Sequence, residues 1–417
     1  MKVIRTTGRG LEAITAVADR RSAPWERLLP QARRIVESVR RGGDPAILRL
    51  RNKFDRITPQ SPLRIPEVEL KLAWESTPKP IRQALRTAAR NIRAFAVRQC
   101  PRDFDLKPAP GVITGQRVIP LASVGCYIPS GRYPLPSTLL MTAIPAQVAR
   151  AGRIVAVSPH PAKETLAVAF LLGITEFYRI GGAHAIAALA YGTQSISPVD
   201  KIVGPGNAWV TAAKKLVAFD CSIDMLAGPT EAVITSETGD PAYIAADLVA
   251  QAEHDPDALV IFITTQTALA KSVAAAVTQS ARGNTIATAA ITNNGLAIVA
   301  RSVQEARDLT NRIAPEHLTV DSAADLAWVR NAGSVFIGRW SAQPLGDYVS
   351  GPNHTLPTSG LARTRGGLSV LDFVKLVTVQ EYSKQGVQQL GPAALRLAEA
   401  EGLTAHAEAI RARGVHD

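Results

Sequence analysis

Residues 153–218 read RIVAVSPHPAKETLAVAFLLGITEFYRIGGAHAIAALAYGTQSISPVDKIVGPGNAWVTAAKKLVA, and this stretch decides the fold. RIVAVSP (153–159), FYRIGG (177–182) and KIVGPG (201–206) are short β-branched or aromatic runs that end in Pro or Gly. Between and after them, ETLAVAFLLG (164–173), HAIAALAYG (184–192) and NAWVTAAKKLVA (207–218) are rich in Ala and Leu and have helical length. Strand, glycine turn and helix in repetition predict parallel strands joined by crossover helices.

The same rhythm returns downstream. EAVITSE (231–237) and ALVIFITT (258–265) read as strands, AYIAADLVAQAEH (242–254) and VQEARDLTNRI (303–313) as helices. Upstream, PWERLLPQARRIVESVRRGG (24–43) has apolar residues at helical spacing and stops at Gly42-Gly43, after which Asp44 reads as the N-cap of the helix PAILRLRNKF. Residues 102–118 are rich in Pro and Gly and read as irregular or strand, whereas the chain from about Asp372 reads as polar helix. The expected fold is α/β: two Rossmann-like parallel-sheet domains without the Gly-x-Gly-x-x-Gly fingerprint, with small helical appendages at both ends.

Composition narrows the function. A chain of 417 residues with 46% hydrophobic and 20% charged residues is ordinary globular material of at least two domains. Its net charge of +12 comes from 47 basic against 35 acidic residues. A basic nucleic-acid-binding protein is one reading of that excess. The cations are scattered, however, and between Arg82 and Arg98 they interleave with Ala and Ile, which reads as a solvated face with a bias toward anionic ligands such as a dinucleotide. Cys100, Cys126 and Cys221 make neither a disulfide framework nor a Cys-x-x-Cys site. No apolar stretch reaches membrane-spanning length, and MKVIRTTGRG lacks a signal-peptide core, so a cytoplasmic location is expected.

Five features carry possible chemistry. Gln251 and His254 lie three apart at the end of a helix and can reach one cation, although a histidine beside a helix C-terminus is common. Glu316-His317 after Pro315 offers an acid–base pair, which also arises by chance. Asp347 and His354 lie in a run of turn formers, where binding groups concentrate, as do plain Asx-turns. Glu401 and His406 near the C-terminus read equally as an exposed helix and its cap. The glycines Gly181-Gly182, Gly204-Pro205-Gly206 and Gly131 can present backbone amides to a pyrophosphate or simply turn the chain. Four of the seven histidines fall in these segments, and one metal site with an attached acid–base pair accounts for them together. Two His, one Asp and one amide oxygen, with no Cys, suit zinc, with manganese or cobalt as alternatives.

VGCYIPSGRYPLPSTLLM, IGGAHAIAALAYGT, VDKIVGPGNAWVTAAKKLV, IDMLAGPTE, QAEHDPDA, RIAPEHLTV, GDYVSGPNHTLPT and AEGLTAHAEAI occur in that order. Together they resemble the histidinol dehydrogenase family from about Arg40 onward. The resemblance implies zinc-dependent, four-electron oxidation of L-histidinol through L-histidinal to L-histidine, with two NAD reduced, at the end of histidine biosynthesis. It implies zinc ligands Gln251, His254, Asp347 and His406, with His317 as the base and Glu316 activating water. Thr230, Gln251, His254, His317, Asp347, His354, Glu401 and His406 would meet the substrate, and Tyr127, His184 and Asn207 the NAD. It further implies a homodimer that exchanges C-terminal segments, so that Glu401 and His406 serve the partner's site. The expected division is an N-terminal appendage (1–18), a first domain (19–123 with 228–370) bearing the metal and acid–base residues, a second on the NAD side (124–227), and a helical tail (371–417). The chain departs from the family pattern at Ser130, His184, Thr230, Leu226 and Asp255, and GRYPL is shared with relatives that act on other alcohols. A paralogue oxidising another small alcohol or diol is therefore the nearest alternative.

Overall fold

The computed structural model describes residues 1–19, 25–58, 60–131 and 133–415. Pro24, where the first helical stretch was expected to begin, and Arg132 of GRYPL lie outside the described residues. Within them the strands are β1 (Lys2–Arg5), β2 (Phe104–Ala109), β3 (Val112–Pro120), β4 (Ser123–Tyr127), β5 (Arg153–Val157), β6 (Glu176–Tyr178), β7 (Lys201–Val203), β8 (Ser222–Ile223), β9 (Glu231–Thr235), β10 (Leu259–Thr264), β11 (Gly295–Val299), β12 (His317–Val320), β13 (Ser334–Ile337) and β14 (Val374–Tyr382).

Two parallel sheets share one topology. The first runs β6-β5-β4-β7-β8, and the second runs β1-β11-β10-β9-β12-β13. In each, the chain steps outward twice from a central strand, then returns to that strand's other side for the last two. The order reverses between β4 and β7 in one sheet and between β9 and β12 in the other. Such switch points are where open parallel sheets leave a crevice.

Both sheets are covered on both faces, which is why their strands read as continuous apolar runs. In the first, Val124, Cys126, Ala156 and Phe177 face the helices Glu67–Ser76, Lys79–Arg98, Pro136–Val148 and Lys163–Leu171. The alternate residues Val155, Val157, Tyr178 and Ile202 face Leu29–Leu50, Gly182–Tyr191 and Ala208–Val217. In the second sheet, Ala232, Ile234, Val260 and Phe262 pack under Pro241–Ala252, Thr267–Ser280 and Thr285–Asn294. Val233, Ile261, Ile298 and Leu318 pack on the other side with helices Arg9–Ala18 and Val303–Ile313.

As expected, the stretch Leu29–Leu50 is two helices meeting at Gly42-Gly43, with Gly43 non-helical at φ 52°. The structure departs from expectation in three places. Asp44 is not a cap: its carboxylate accepts from Ser195 N and Oγ, so it ties the kink to a distant turn. The N-terminal segment is more than a helical appendage, because β1 pairs in parallel with β11 and extends the second sheet. The C-terminal tail begins as a strand, since VKLVTVQEY is rich in β-branched residues and β14 pairs antiparallel with β3 over nine residues, from Val374 to Tyr382. Helices Lys384–Ala400 and Thr404–Arg411 then pack on each other through Leu395, Ala398 and Ala407.

The helices of 29–98 cover the first sheet (β4–β8), not the β9–β13 sheet with which they were grouped by sequence. Burial is the reason, because the apolar stripes of these helices complete the cores around Phe177 and Ile186. We therefore propose dividing the chain with 25–98 placed beside 124–227, and 1–19 beside 228–370.

Candidate active site

The central cavity, about 480 Å³, lies between the two parallel sheets and is built from unlike edges of each. The first sheet contributes its carboxyl edge at the β4/β7 switch point: Pro129 and Gly131 follow β4, and Gly204-Pro205-Gly206-Asn207 follows β7. The second contributes its amino edge, with Thr230 just before β9 and Glu316-His317 at the start of β12. At the carboxyl edge of the second sheet the loops are tied together by carboxylates. There Asp321 accepts from Ser236 Oγ and from Glu237 N (2.8 Å), while Glu237 accepts from Thr265 N (2.8 Å) and Oγ1 (2.6 Å).

Glu316 and His317 are placed by a helix stop. The helix Val303–Ile313 ends on Ala314, which adopts the left-handed conformation (φ 51°) before Pro315. A non-glycine residue there is a sparse conformation that the surrounding packing must hold. Two residues later the chain enters the sheet interior, where His317 is flanked by Ala232 of β9 and Ser334 of β13. The imidazole is buried, and its Nδ1 lies 3.2 Å from the Glu231 carbonyl. Nδ1 therefore carries the proton, and Nε2 faces Asp347 Oδ1 at 3.6 Å.

Glu316 is also buried, and its Oε2 accepts from Thr230 Oγ1 (2.6 Å) and Glu231 N (2.8 Å). Burial pushes this carboxyl up to about 7, against the pull of His317 and these two donors. For His317, burial works to lower the pKa, but Glu316 and Asp347 outweigh it and the net direction is upward. Asp347 is held below its usual range because His317, His354 and His254 together overcome its own burial. His354, half-buried with Nδ1 2.9 Å from the Asp347 carbonyl, is pushed down by desolvation.

Gln251 and His254 close the opposite wall. They stand at the C-terminal end of the helix Pro241–Ala252, whose N-terminus is capped by Asp240 accepting from Ala242 N (2.8 Å). Gln251 Nε2 donates to Thr230 Oγ1, linking this wall to Glu316. Asn207, Thr230, Gln251, His254, Glu316, His317, Asp347 and His354 thus share one cavity.

Four residues singled out by sequence are elsewhere. Glu401 and His406 are exposed on the C-terminal helices and do not line the cavity. Among the described residues, no three His, Cys, Asp or Glu side chains of one chain stand close enough to hold a metal. Tyr127 and His184 are buried behind the Gly181-Gly182 turn: Tyr127 Oη accepts from Gly182 N at 3.1 Å, and His184 Nε2 meets Asp55 Oδ2 at 2.9 Å. Of the three residues expected on the cofactor side, only Asn207 faces the cavity, where it also caps its helix by accepting from Trp209 N (3.0 Å).

Sequence reasoning missed Glu231, a buried carboxylate whose Oε1 accepts from Ser359 N (2.8 Å). An acid opening an otherwise apolar strand was the available signal. It also missed Tyr133, whose hydroxyl reaches Glu253 O across the cleft at 3.4 Å.

A family model for histidinol dehydrogenase matches residues 18–414. A histidinol dehydrogenase of Vibrio parahaemolyticus is 45% identical over 391 residues, covering 91% of this chain and 90% of that protein. One from Methanothermobacter thermautotrophicus is 46% identical over 393 residues, covering 91% and 92%. A crystal structure of histidinol dehydrogenase from Elizabethkingia anophelis superposes with a TM-score of 0.93 at 34% identity, covering 99% of this chain and 98% of that one.

Proposed function

The chain belongs to the histidinol dehydrogenase family, and from that premise we propose that it oxidises L-histidinol to L-histidine through L-histidinal, with NAD as the oxidant and a zinc-type cation in the cleft. The observation that carries this reading is the convergence of Glu316, His317, Asp347, Gln251, His254 and Thr230 on one cavity.

The donor set fits a borderline divalent cation: one imidazole, one carboxylate and one amide oxygen on the cavity wall, with no thiol among them. One chain supplies three of the four donors, and the proposed fourth is the partner subunit's His406. A shared site is supported by the tail, which exposes Leu376, Val377, Leu397 and Leu403. It is supported again by a second cavity, of about 360 Å³, on the other side of His317, Asp347 and His354. A homodimer with exchanged C-terminal segments accounts for both. When bound, the cation would supply Lewis acidity toward the substrate, and NAD would supply the hydride acceptor.

The chain's own residues move the protons. In its neutral form, with Nδ1–H spent on Glu231 O, His317 takes the proton of the substrate hydroxyl at Nε2. Oxidation of the resulting aldehyde requires its hydrate. Glu316, with a carboxyl titrating near 7, is suited to draw the proton from the attacking water. Asp347 steadies the imidazolium that forms meanwhile. Asn207 and the glycines before it present the dinucleotide's seat at the β4/β7 switch point.

A second reading, oxidation of another small alcohol in one step, is favoured by Thr230, which lines the cavity with a methyl group beside its hydroxyl. Purified protein with L-histidinol and NAD is expected to form NADH and histidine in a two-to-one ratio. A ratio of one, or preference in a substrate panel for an alcohol lacking imidazole, would replace the first reading with the second.

A further inference from the structure

We propose that the buried Lys214–Asp224 ion pair positions the loop Gly204-Pro205-Gly206-Asn207, and that Lys214 thereby sets the affinity for the dinucleotide from outside the cavity. This rests on the reading of that loop as the cofactor's seat.

Lys214 lies in the helix Ala208–Val217 and is only 3% exposed. Lysine is almost never so deeply buried without a partner. Its Nζ donates to Asp224 Oδ1 at 2.6 Å and to the Gly204 carbonyl at 2.6 Å. Asp224 in turn accepts from Gly204 N at 2.7 Å through Oδ2 and from Met225 N at 2.6 Å through Oδ1. Both polar backbone groups of Gly204 are thus held by the two ends of a single ion pair.

Gly204 needs holding. Its φ is +112°, and a Cβ placed on it would lie 2.2 Å from the Tyr127 carbonyl, so the loop is pressed against the end of β4. Gly206 is equally tight, with a Cβ there falling 2.4 Å from Val210 Cγ1. The loop consequently rises from the switch point in one conformation, with Asn207 facing the cavity. Stability gives a weak reason for such a pair, because taking two charges out of water costs about what their attraction returns. Fixing the shape of a ligand-facing loop gives a better one. In the second sheet Asp321 and Glu237 accept directly from the backbone amides of the carboxyl-edge loops, whereas here Asp224 stands at the cavity wall and holds Gly204 N, with Lys214 buried behind it.

The test uses the full-length protein, titrated with NADH by fluorescence and assayed for the KM of NAD and of L-histidinol. Lys214→Met is expected to raise the NADH Kd and the NAD KM about tenfold, with the histidinol KM within about twofold, because only the seat of one ligand is disturbed. Lys214→Arg, which keeps the charge and the donors, is expected to recover most of the loss. Gly204→Ala distorts the loop directly and is expected to weaken NADH at least as much. Should Lys214→Met fail to fold, Asp224→Asn decides, with an expected rise of about threefold or more in the NADH Kd. A folded variant of the pair with unchanged NADH affinity, beside a weakened Gly204→Ala, overturns the proposal and leaves the seat intact. Unchanged affinity in Gly204→Ala as well overturns the seat itself.

Discussion

Replacing Glu316 by glutamine should stabilise the protein in alkali and do almost nothing in acid. The buried carboxyl titrates at about 7, against an ordinary value of 4.5. Between those values the unfolded chain has released a proton that the folded chain retains, so stability falls as pH rises through this window and the whole cost is present above 7. The rise from 4.5 to about 7 corresponds to ~3 kcal/mol, at ~1.36 kcal/mol for each tenfold change in proton affinity. Glutamine keeps an oxygen for Thr230 Oγ1 and Glu231 N and carries no charge to desolvate. Unfolding entropy of ~2.1 cal/mol/K per residue over this chain is roughly 0.9 kcal/mol/K, so the gain converts to a Tm rise of about 3 °C. Chelator-treated wild type and Glu316→Gln should be melted in parallel at pH 5 and pH 8.5. The variant should melt about 3 °C higher at pH 8.5 and within about 1 °C of wild type at pH 5. A variant equally shifted at both pH values, or less stable at pH 8.5, would refute the claim that burial governs this carboxyl.

Other perturbations separate the proposed roles. His317→Asn should lower kcat about 10²- to 10⁴-fold while metal content by elemental analysis is retained; activity near wild type would remove it as the base. Mixing His317→Asn with His406→Ala under conditions of subunit exchange should restore part of the activity, since one hybrid site is intact, and no recovery would exclude sharing. Dialysis against a chelator should abolish turnover and lower Tm, with both restored by zinc; turnover that survives complete metal removal would dismiss the cation. His184→Ala should cost about 1–3 kcal/mol in stability, because Asp55 keeps Gly181 N but loses the imidazole. Its NAD KM should stay within about twofold, and a selective rise would make His184 a cofactor contact after all.

The parallel sheets were legible because their strands are covered on both faces, so RIVAV and LVIFI read as unbroken apolar runs between helices. The strand VKLVTVQEY was read as helix because much of it is exposed: its partner is a single antiparallel strand, and its polar residues resemble those of the helices that follow. Five motifs scattered from Asn207 to His354 were each ambiguous alone, and the fold draws all of them to one cavity. His184 shows the limit of motif reading. Its nature is decided by Asp55, which lies 129 residues away and has no signature of its own. Lys214 and Asp224 escaped notice because a lysine in an amphipathic helix and an aspartate in a turn look solvated until the backbone encloses them.

The position of His317 in the sheet has a bearing on how the protein would fail under stress. Its main chain lies between β9 and β13, one strand in from the edge of a six-stranded sheet, whereas Gln251 and His254 sit at a helix end and Asp347 in a short helical turn. Amide exchange at His317 therefore requires parting β12 from its neighbours, while the amides around His254 and Asp347 can exchange through local fraying. Mild heating or denaturant would loosen Gln251, His254 and Asp347, the proposed ion ligands, before His317, leaving a dormant protein whose Glu316-His317 pair is still in register and which regains its site when the frayed segments close.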